Sequence, residues 1–388
     1  MANSNLTNAK IAKNDEFYTQ FYDIEKEVNA YLEYNPNVFE GKTILCPCDD
    51  PYESNFFKYF ALSFRMLKLK KLIATCYAGS PIANTQLSLF PEESEENKTT
   101  RHPHKIEITD NDGVRNLYDV ESLLAGDKHH LTRLKGDGDF RSDEVKKLRD
   151  EADMIITNPP FSLFREFLAW IMEADKQFLI IGNMNAITYK EVFPLIKEDR
   201  MWLGESIHSG DREFAVPDEY PLYAAGCRID EKGKKYIRIK GVRWFTNLEH
   251  GRRHQPLPLM SMKDNVRYNK KIRGKESYDR YDNYDAIEVP FTEAIPSDYE
   301  GVMGVPISFL DKYSPEQFEI VGMCENEDVY HLKTRVYTNQ EKKDAYFAKF
   351  RKQGQYDLNA SGVIIENGLL EKVYQRILIR HKRNENNA

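Results

Sequence analysis

Short, continuously apolar segments alternate along this chain with segments in which apolar residues have helical spacing. The apolar segments are KTILC at 42–46, KKLIATCY at 70–77, ADMIIT at 152–157 and FLIIGN at 178–183. A strand that is apolar at nearly every position is buried on both faces, whereas a half-exposed strand alternates apolar and polar residues. The sequence therefore predicts an α/β fold, with a mostly parallel, doubly wound sheet that has helices on both faces.

A helix is predicted directly after the first of these strands. Phenylalanine recurs every three to four residues between positions 56 and 64, which indicates one core-facing stripe. Asp50 is the predicted N-cap, and Pro51 suits the first helical position. We therefore expect the helix to begin at residues 50–51.

A further core strand is predicted in HLTRLK at 130–135. Polar clusters lie at the ends of three predicted strands: CDDP at 48–51, GDGDF at 136–140 and TNPPF at 157–161. In open α/β sheets, ligands bind outside the carboxyl ends of the strands. The chain has neither a GxGxxG nor a GxxxxGK[ST] segment, so the usual glycine-rich cradle for a pyrophosphate is missing. The sequence thus favours a nucleoside cofactor without phosphates at this edge.

The segment Asn158-Pro159-Pro160-Phe161 matches the NPP[FY] motif of amino-directed methyltransferases, and other segments extend the match. They are DEFYTQ (15–20), CDDP (48–51), SNFFKYFA (54–61), KKLIA (70–74), GDGDFRS (136–142), TNPPFSLFRE (157–166), FLIIGN (178–183), WLG (202–204) and MGVPISFL (303–310). Taken together and in this order, they resemble the EcoRI-type family of adenine-specific DNA methyltransferases. The resemblance covers most of the chain.

The resemblance implies a class I S-adenosylmethionine-dependent methyltransferase fold with a C-terminal DNA-recognition lobe. It implies methyl transfer to N6 of an adenine that has left the DNA duplex. The side-chain oxygen of Asn158 and the backbone carbonyl of Pro159 would then accept the two amino N–H bonds. Pro160 would help to stiffen the loop, and Phe161 would stack on the base.

The resemblance also implies a set of residues that bind S-adenosylmethionine. Phe17, Tyr18 and Thr19 match the block that packs near the methionine part of the cofactor, and Asn158 also borders the site. Asp49 is expected to contact the amino acid moiety. Many relatives place an acid after the second strand for the ribose, where this chain offers Thr75, Cys76 and Tyr77. The pair that flanks the cofactor's adenine in the family corresponds to Asp139 and Phe140.

Charge is distributed unevenly along the chain. Residues 230–282 carry 15 Lys/Arg and seven Asp/Glu, a local balance of +8, whereas the whole chain carries −7. A basic module attached to an acidic body is the electrostatic footprint of DNA binding, although by charge alone chance clustering on a solvated surface is the better explanation. Within the basic stretch, the predicted DNA-binding residues are Arg252, Arg253, Arg267, Lys270, Lys271 and Arg273.

These patterns predict three parts of the chain. Residues 1–248 form the catalytic core, with an insertion near 78–128. Residues 249–300 form a basic target-recognition insertion. Residues 301–388 pack on the core and contribute to DNA binding.

Several classes of protein are disfavoured by the sequence. No segment approaches 18 uninterrupted apolar residues, and the N-terminus has no apolar secretory segment, so neither a membrane span nor export is expected. Five cysteines indicate a reducing compartment, and we expect a cytoplasmic monomer. Cys46 and Cys48 have CxC rather than CxxC spacing, which favours buried thiols over a metal site.

Other functions stay open at this point. The NPP[FY] motif also serves enzymes that methylate RNA amino groups or protein glutamine, and a catalytically silent DNA-binding protein would keep the same fold. The basic stretch and the family segments favour a DNA adenine methyltransferase. The resemblance implies that it pairs with a cognate restriction endonuclease as the modification half of a type II system.

Overall fold

The computed structural model describes residues 19–51, 54–76, 103–116, 118–120, 122, 131–208, 211–216, 227–231, 233–269, 272 and 276–382. The chain divides into two compact units, Met1–Gly251 and Arg252–Ala388, here called unit 1 and unit 2. Among the described residues, no helix is both long and apolar enough to cross a membrane.

The described strands of unit 1 are β1 Thr43–Cys46, β2 Lys71–Thr75, β3 His104–Thr109, β4 Leu131–Arg133, β5 Met154–Thr157, β6 Gln177–Asn183, β7 Trp202–Leu203, β8 Asp211–Val216, β9 Arg228–Ile229, β10 Lys235–Lys240 and β11 Val242–Thr246. Eight of these described strands form one large sheet with the order β4-β3-β2-β1-β5-β6-β11-β7. The other three form a separate antiparallel sheet with the order β8-β10-β9.

The centre of the large sheet is parallel and its edges are antiparallel. β2, β1, β5 and β6 pair in parallel, with Leu45 opposite both Ile73 and Ile155. β3 and β11 run the other way, so six of the eight strands share one direction. The predicted α/β fold with a mostly parallel sheet is therefore confirmed, although apolar runs did not indicate the two reversed strands.

Helices cover the large sheet. The described helices of unit 1 are α1 Phe21–Tyr34, α2 Asn55–Leu62, α3 Asp143–Glu151, α4 Phe164–Glu173 and α5 Phe193–Lys197. Ile44 belongs to the apolar cluster that includes α1 and α2, and its neighbour Leu45, which points to the opposite face, is equally buried. Burial on both faces explains why the central strands are apolar at every position.

The start of α2 differs from the prediction. Its N-cap is Ser54, whose hydroxyl oxygen accepts hydrogen bonds from the backbone N–H groups of Phe56 and Phe57. Asp50 is therefore not the N-cap; instead its carbonyl oxygen accepts a hydrogen bond from the Ser54 N–H. The helix begins four residues later than predicted because a serine hydroxyl satisfies the first free N–H groups there.

The described elements of unit 2 are α6 Met262–Tyr268, β12 Ala286–Glu288, β13 Val302–Pro306, β14 Phe318–Met323, α7 Asn339–Phe350, β15 Val363–Glu366, β16 Leu369–Lys372 and β17 Arg376–His381. Four of these strands form a sheet with the order β12-β13-β17-β14, and β15 and β16 form a hairpin. β12 lies within the predicted basic insertion and pairs in parallel with β13 of the following segment. A buried ion pair between Glu288 and Arg376 joins β12 to β17.

Candidate active site

The carboxyl ends of β1, β2 and β5 lie side by side because these strands are parallel and adjacent. Two hydrogen bonds continue the contact between β1 and β2 beyond their last paired residues. The Asp49 N–H donates to the Thr75 carbonyl over 3.2 Å, and the Thr75 hydroxyl donates to the Pro47 carbonyl over 3.1 Å. The segments CDDP and TNPPF are thereby brought to one edge of the sheet, as predicted from their positions after strands.

The Asp49 carboxylate is the centre of a buried polar cluster at this edge. Only 5% of the residue is exposed. One carboxylate oxygen accepts the Ser54 hydroxyl over 2.5 Å, and the other accepts the Thr157 hydroxyl. These three residues, called the Asp49 cluster below, tie the end of β1 to the first turn of α2 and to the last residue of β5.

The loop after β5 holds Asn158, which is 8% exposed, directly after Thr157. The Leu163 N–H donates to the Pro160 carbonyl over 2.9 Å and closes a short turn before α4. Phe161 is partly buried and packs against the apolar cluster that includes α1 and α2. The loop is thus held by the turn at Pro160 and by the packing of Phe161.

The glycine-rich loop 136–140 lies against the end of β2. Gly138 has a φ of +76°, and a Cβ atom there would lie 2.2 Å from the Cys76 carbonyl oxygen and 2.8 Å from the Pro103 Cβ. Only glycine fits this approach, since both the conformation and the space exclude a side chain. Asp139 therefore lies beside the end of β2.

Asp139 and Phe140 are engaged with protein groups in this structure. The Arg141 guanidinium donates to both oxygens of Asp139, over 2.8 and 2.6 Å, and holds the pKa of that carboxyl below its ordinary value. Arg141 also donates to Glu166 over 2.9 Å. Phe140 is 5% exposed, and its ring centroid lies 5.1 Å from that of Phe167. Their predicted contact with the cofactor's adenine stays a prediction.

The N-terminal segment reaches the same edge through Thr19. The Thr19 carbonyl accepts a hydrogen bond from the Asn55 side chain over 2.7 Å, which places it beside the first turn of α2. Among the described residues, nothing pairs with the buried Thr19 hydroxyl or with the buried Gln20 side-chain nitrogen. Buried polar atoms normally have partners, so these two atoms have the capacity to bind a ligand at this edge. The predicted cofactor residues Phe17, Tyr18 and Tyr77 lie outside the described residues.

Three of the predicted DNA-binding residues can be located, and all three lie in unit 2. Arg267 is exposed in the last turn of α6. Arg252 donates to the Asp311 carbonyl over 3.0 Å. Arg253 is only 4% exposed, with its guanidinium 6.0 Å from the centre of the Tyr313 ring. The other three, Lys270, Lys271 and Arg273, lie outside the described residues.

Sequence reasoning did not single out Ser54, Thr157 or Arg141. Each is a polar residue within or next to a segment that carried the family resemblance, which is the signal available in the sequence. The roles of Thr157 and Arg141 depend on partners distant in sequence, since Thr157 is 108 residues from Asp49 and Arg141 is 25 from Glu166. Among the described residues, no group of three or more potential metal ligands is found.

Comparisons with known proteins extend the resemblance noted in the sequence. The family model described as adenine-specific methyltransferase EcoRI matches residues 5–382. The chain is 45% identical over 320 residues to Type II methyltransferase M.EcoRI of Escherichia coli, covering 82% of this chain and 89% of the relative. It is 34% identical over 351 residues to Type II methyltransferase M.MpnI of Mycoplasma pneumoniae, covering 89% and 94%.

A third relative, Type II methyltransferase M.MgeORF184P of Mycoplasma genitalium, is 35% identical over 320 residues, covering 82% of this chain and 86% of the relative. No solved structure matches significantly. Since the family model spans nearly the whole chain and the relatives match along most of their own length, the predicted family is confirmed. This chain belongs to the EcoRI family of adenine-specific methyltransferases.

Proposed function

We propose that this protein transfers a methyl group from S-adenosylmethionine to N6 of an adenine flipped out of duplex DNA. The observation that carries this proposal is the pair of acceptors at the end of β5, the buried Asn158 side chain and the Pro159 carbonyl. The relatives named Type II methyltransferases support DNA as the substrate. We further propose that the protein protects sites from a cognate restriction endonuclease.

The chemistry of an aromatic amino group explains the need for two acceptors. The lone pair of adenine N6 is delocalised into the ring, which makes the nitrogen a poor nucleophile. Acceptance of its two N–H bonds by Asn158 Oδ1 and the Pro159 carbonyl pulls the nitrogen toward tetrahedral geometry and directs the lone pair at the methyl group. Because these dipoles are fixed before the reaction, they stabilise the developing positive charge with little reorganisation. The reaction is a direct displacement with no covalent enzyme intermediate.

The rigidity of the loop serves this geometry. Pro159 and Pro160 each fix their own φ, and the bond between Leu163 and the Pro160 carbonyl closes the following turn. Phe161 follows the acceptors directly and would stack on the extruded base, since a base inside the duplex presents no face to a protein ring. The amino proton leaves to solvent after transfer, because amide and carbonyl oxygens are too weakly basic to hold it.

The residues at the sheet edge fit the proposed cofactor. S-adenosylmethionine supplies an electrophilic methyl group on a sulfonium, and it carries no phosphate that would need a glycine-rich cradle. The unpaired buried Thr19 hydroxyl and the Asp49 carboxylate would hold its amino acid end. Asp139 and Phe140, with the predicted Tyr77, would border its nucleoside end. Phe17 and Tyr18 are proposed to complete the methionine side.

The DNA backbone is proposed to meet the basic stretch of unit 2. Arg267 is exposed and available to a phosphate, and we retain Lys270, Lys271 and Arg273 as proposed contacts. Burial of Arg253 favours packing against Tyr313 over a phosphate contact, so its proposed DNA-binding role is the weakest of the set. Most such contacts position the protein without reading sequence.

Methyl transfer to defined substrates tests the proposal. The purified protein would be incubated with methyl-labelled S-adenosylmethionine and, in parallel, duplex DNA from a methylation-deficient host, RNA and a cell-free protein extract. We expect label in DNA only, released on digestion as N6-methyladenine. Label in RNA or protein, or DNA binding without transfer, would overturn the proposal. Single-molecule sequencing of the methylated DNA would then give the recognition sequence.

A further inference from the structure

Asp49 makes more hydrogen bonds to protein groups than cofactor binding alone requires. Both oxygens of the carboxylate are engaged by hydroxyl groups of the protein, one from the cap of α2 and one from the end of β5. A residue whose only role was to bind a cofactor would need neither bond. Hydroxyl–carboxylate bonds are charge-assisted, and they are stronger in a buried site than in water. They are therefore suited to fix the position of Thr157.

The bond to Asp49 matters for Thr157 because β5 is paired over a longer stretch with β6 than with β1. Toward β6, the paired residues continue to Thr157, which lies opposite Ile180. Toward β1, the last paired residue is Ile155. The bond from Thr157 to Asp49 continues the contact on the β1 side, one residue before Asn158. It thereby fixes the peptide group from which the Asn158 side chain is presented.

We propose that Asp49 is a positioning residue that orients Asn158 through the Thr157 hydroxyl. This inference rests on the proposed function, since it concerns the acceptor of the adenine amino group. Asp49 would thus link the methyl donor and the acceptor: its carboxylate lies at the proposed cofactor end, and its hydrogen-bonded partner precedes the catalytic asparagine. Ser54 contributes from the other side by holding the carboxylate against α2.

Thr157→Val separates positioning from cofactor binding, because it removes the hydroxyl and leaves Asp49 and the side-chain shape in place. The matched control is Thr246→Val. Thr246 is also a fully buried threonine at the end of a strand, and its hydroxyl donates to the Phe178 carbonyl over 2.7 Å. Thr246 lies in β11, opposite Leu179 of β6, and β6 separates β11 from β5. Thr157→Ser restores a hydroxyl and tests rescue.

The experiment measures single-turnover methyl transfer to DNA from a methylation-deficient host, together with cofactor affinity by calorimetry. For Thr157→Val we expect the transfer rate to fall about 10- to 100-fold, because small displacements of a catalytic group have effects of this size, with the cofactor Kd within about twofold of wild type. Thr157→Ser should recover most of the rate. Thr246→Val should transfer at the wild-type rate.

Three outcomes would overturn the positioning role: a wild-type rate in Thr157→Val, weaker cofactor binding at an unchanged rate, or equal losses in Thr157→Val and Thr246→Val. The first denies any role, the second leaves Asp49 as a cofactor ligand only, and the third indicates general packing. A wild-type protein that transfers no methyl group to DNA would instead overturn the proposed function itself. The two failures are therefore distinguishable.

Discussion

Charged and polar groups are held in different ways in two regions of the molecule. One is the carboxyl edge of the large sheet in unit 1, and the other is the part of the basic stretch that lies in unit 2, residues 252–282, called the basic segment below. At the edge, Asp49 and Asn158 are buried, and Asp49 is bound from two sides. In the basic segment, Arg267 is exposed on a short helix. Chemistry on one amino group requires two acceptors at fixed positions, whereas attraction to a phosphate backbone needs charge but little precise placement.

If this contrast is right, the largest effect should come from Asn158→Ala. Removal of one fixed acceptor should lower the single-turnover methyl-transfer rate about 1,000-fold, by analogy with the loss of one donor from an oxyanion hole. DNA binding, measured by fluorescence anisotropy, should be unchanged because the basic segment is untouched. The control is Asn185→Ala, in the exposed turn after β6. A rate near that of wild type in Asn158→Ala would remove the mechanistic role of this edge.

Phe161→Ala should have the next largest effect. Loss of stacking on an extruded base is worth about 1–3 kcal/mol, which corresponds to a decrease of about 5- to 160-fold in kcat/KM. Because Phe161 also packs against the core of unit 1, the melting temperature must be measured beside the rate. Phe161→Tyr keeps an aromatic face and should stay close to wild type. If Phe161→Ala lost stability but kept kcat/KM, this ring would belong to the core alone.

The same contrast explains how far the sequence alone could predict this protein. The central strands and the edge segments were predictable because consecutive residues determine them. In MIIT followed by NPPF, for example, an apolar run indicates a buried strand and the motif after it marks the end of that strand. The cap of α2 was not, since the choice between Asp50 and Ser54 depends on the bond that Ser54 makes to Asp49. The reversed direction of β3 and β11 was not predictable either, because a buried strand is apolar whichever way it runs.

In the basic segment, the sequence was limited in a different way as a predictor of which charged residues are exposed. A count of Lys and Arg predicts an electrostatic surface, but it does not tell an exposed cation from one packed on a ring. Arg253 and Arg267 lie 14 positions apart within one charged stretch, yet the first is buried against Tyr313 and the second is exposed. Which arginine is buried is decided by residues about 60 positions away. The pair therefore offers a direct test within the region.

Arg267→Ala and Arg253→Ala should separate binding from stability. Loss of a phosphate contact by Arg267 should reduce the slope of log affinity against log salt by about one, with the melting temperature unchanged. Loss of the buried guanidinium of Arg253 should instead destabilise unit 2 by about 1–2 kcal/mol, with the salt slope unchanged. Salt titrations of DNA binding and thermal melts of both variants would check this. Equal salt slopes in the two variants would mean that burial does not distinguish them.

The smallest effect concerns the exposed ion pair at the carboxyl edge. Arg141 lowers the pKa of Asp139, so the pair contributes its full stability above the ordinary carboxyl pKa of about 4 and loses it as the pH falls through the lowered value. Both Arg141 and its second partner Glu166 are about half exposed, and solvent limits such pairs to less than about 1 kcal/mol. Arg141→Gln should therefore lower the melting temperature slightly at pH 7.

The difference in melting temperature between Arg141→Gln and wild type should shrink toward acidic pH, where Asp139 becomes protonated in both proteins. Arg165→Gln is the control, because Arg165 is equally exposed but lies 3.7 Å from Glu191 with no bidentate contact. Its effect should be smaller still. A destabilisation by Arg141→Gln as large as that of Arg253→Ala would show that an exposed pair holds this edge as firmly as buried contacts hold unit 2. The exposed contacts of Arg141 would then stabilise this edge of the sheet in addition to the buried Asp49 cluster.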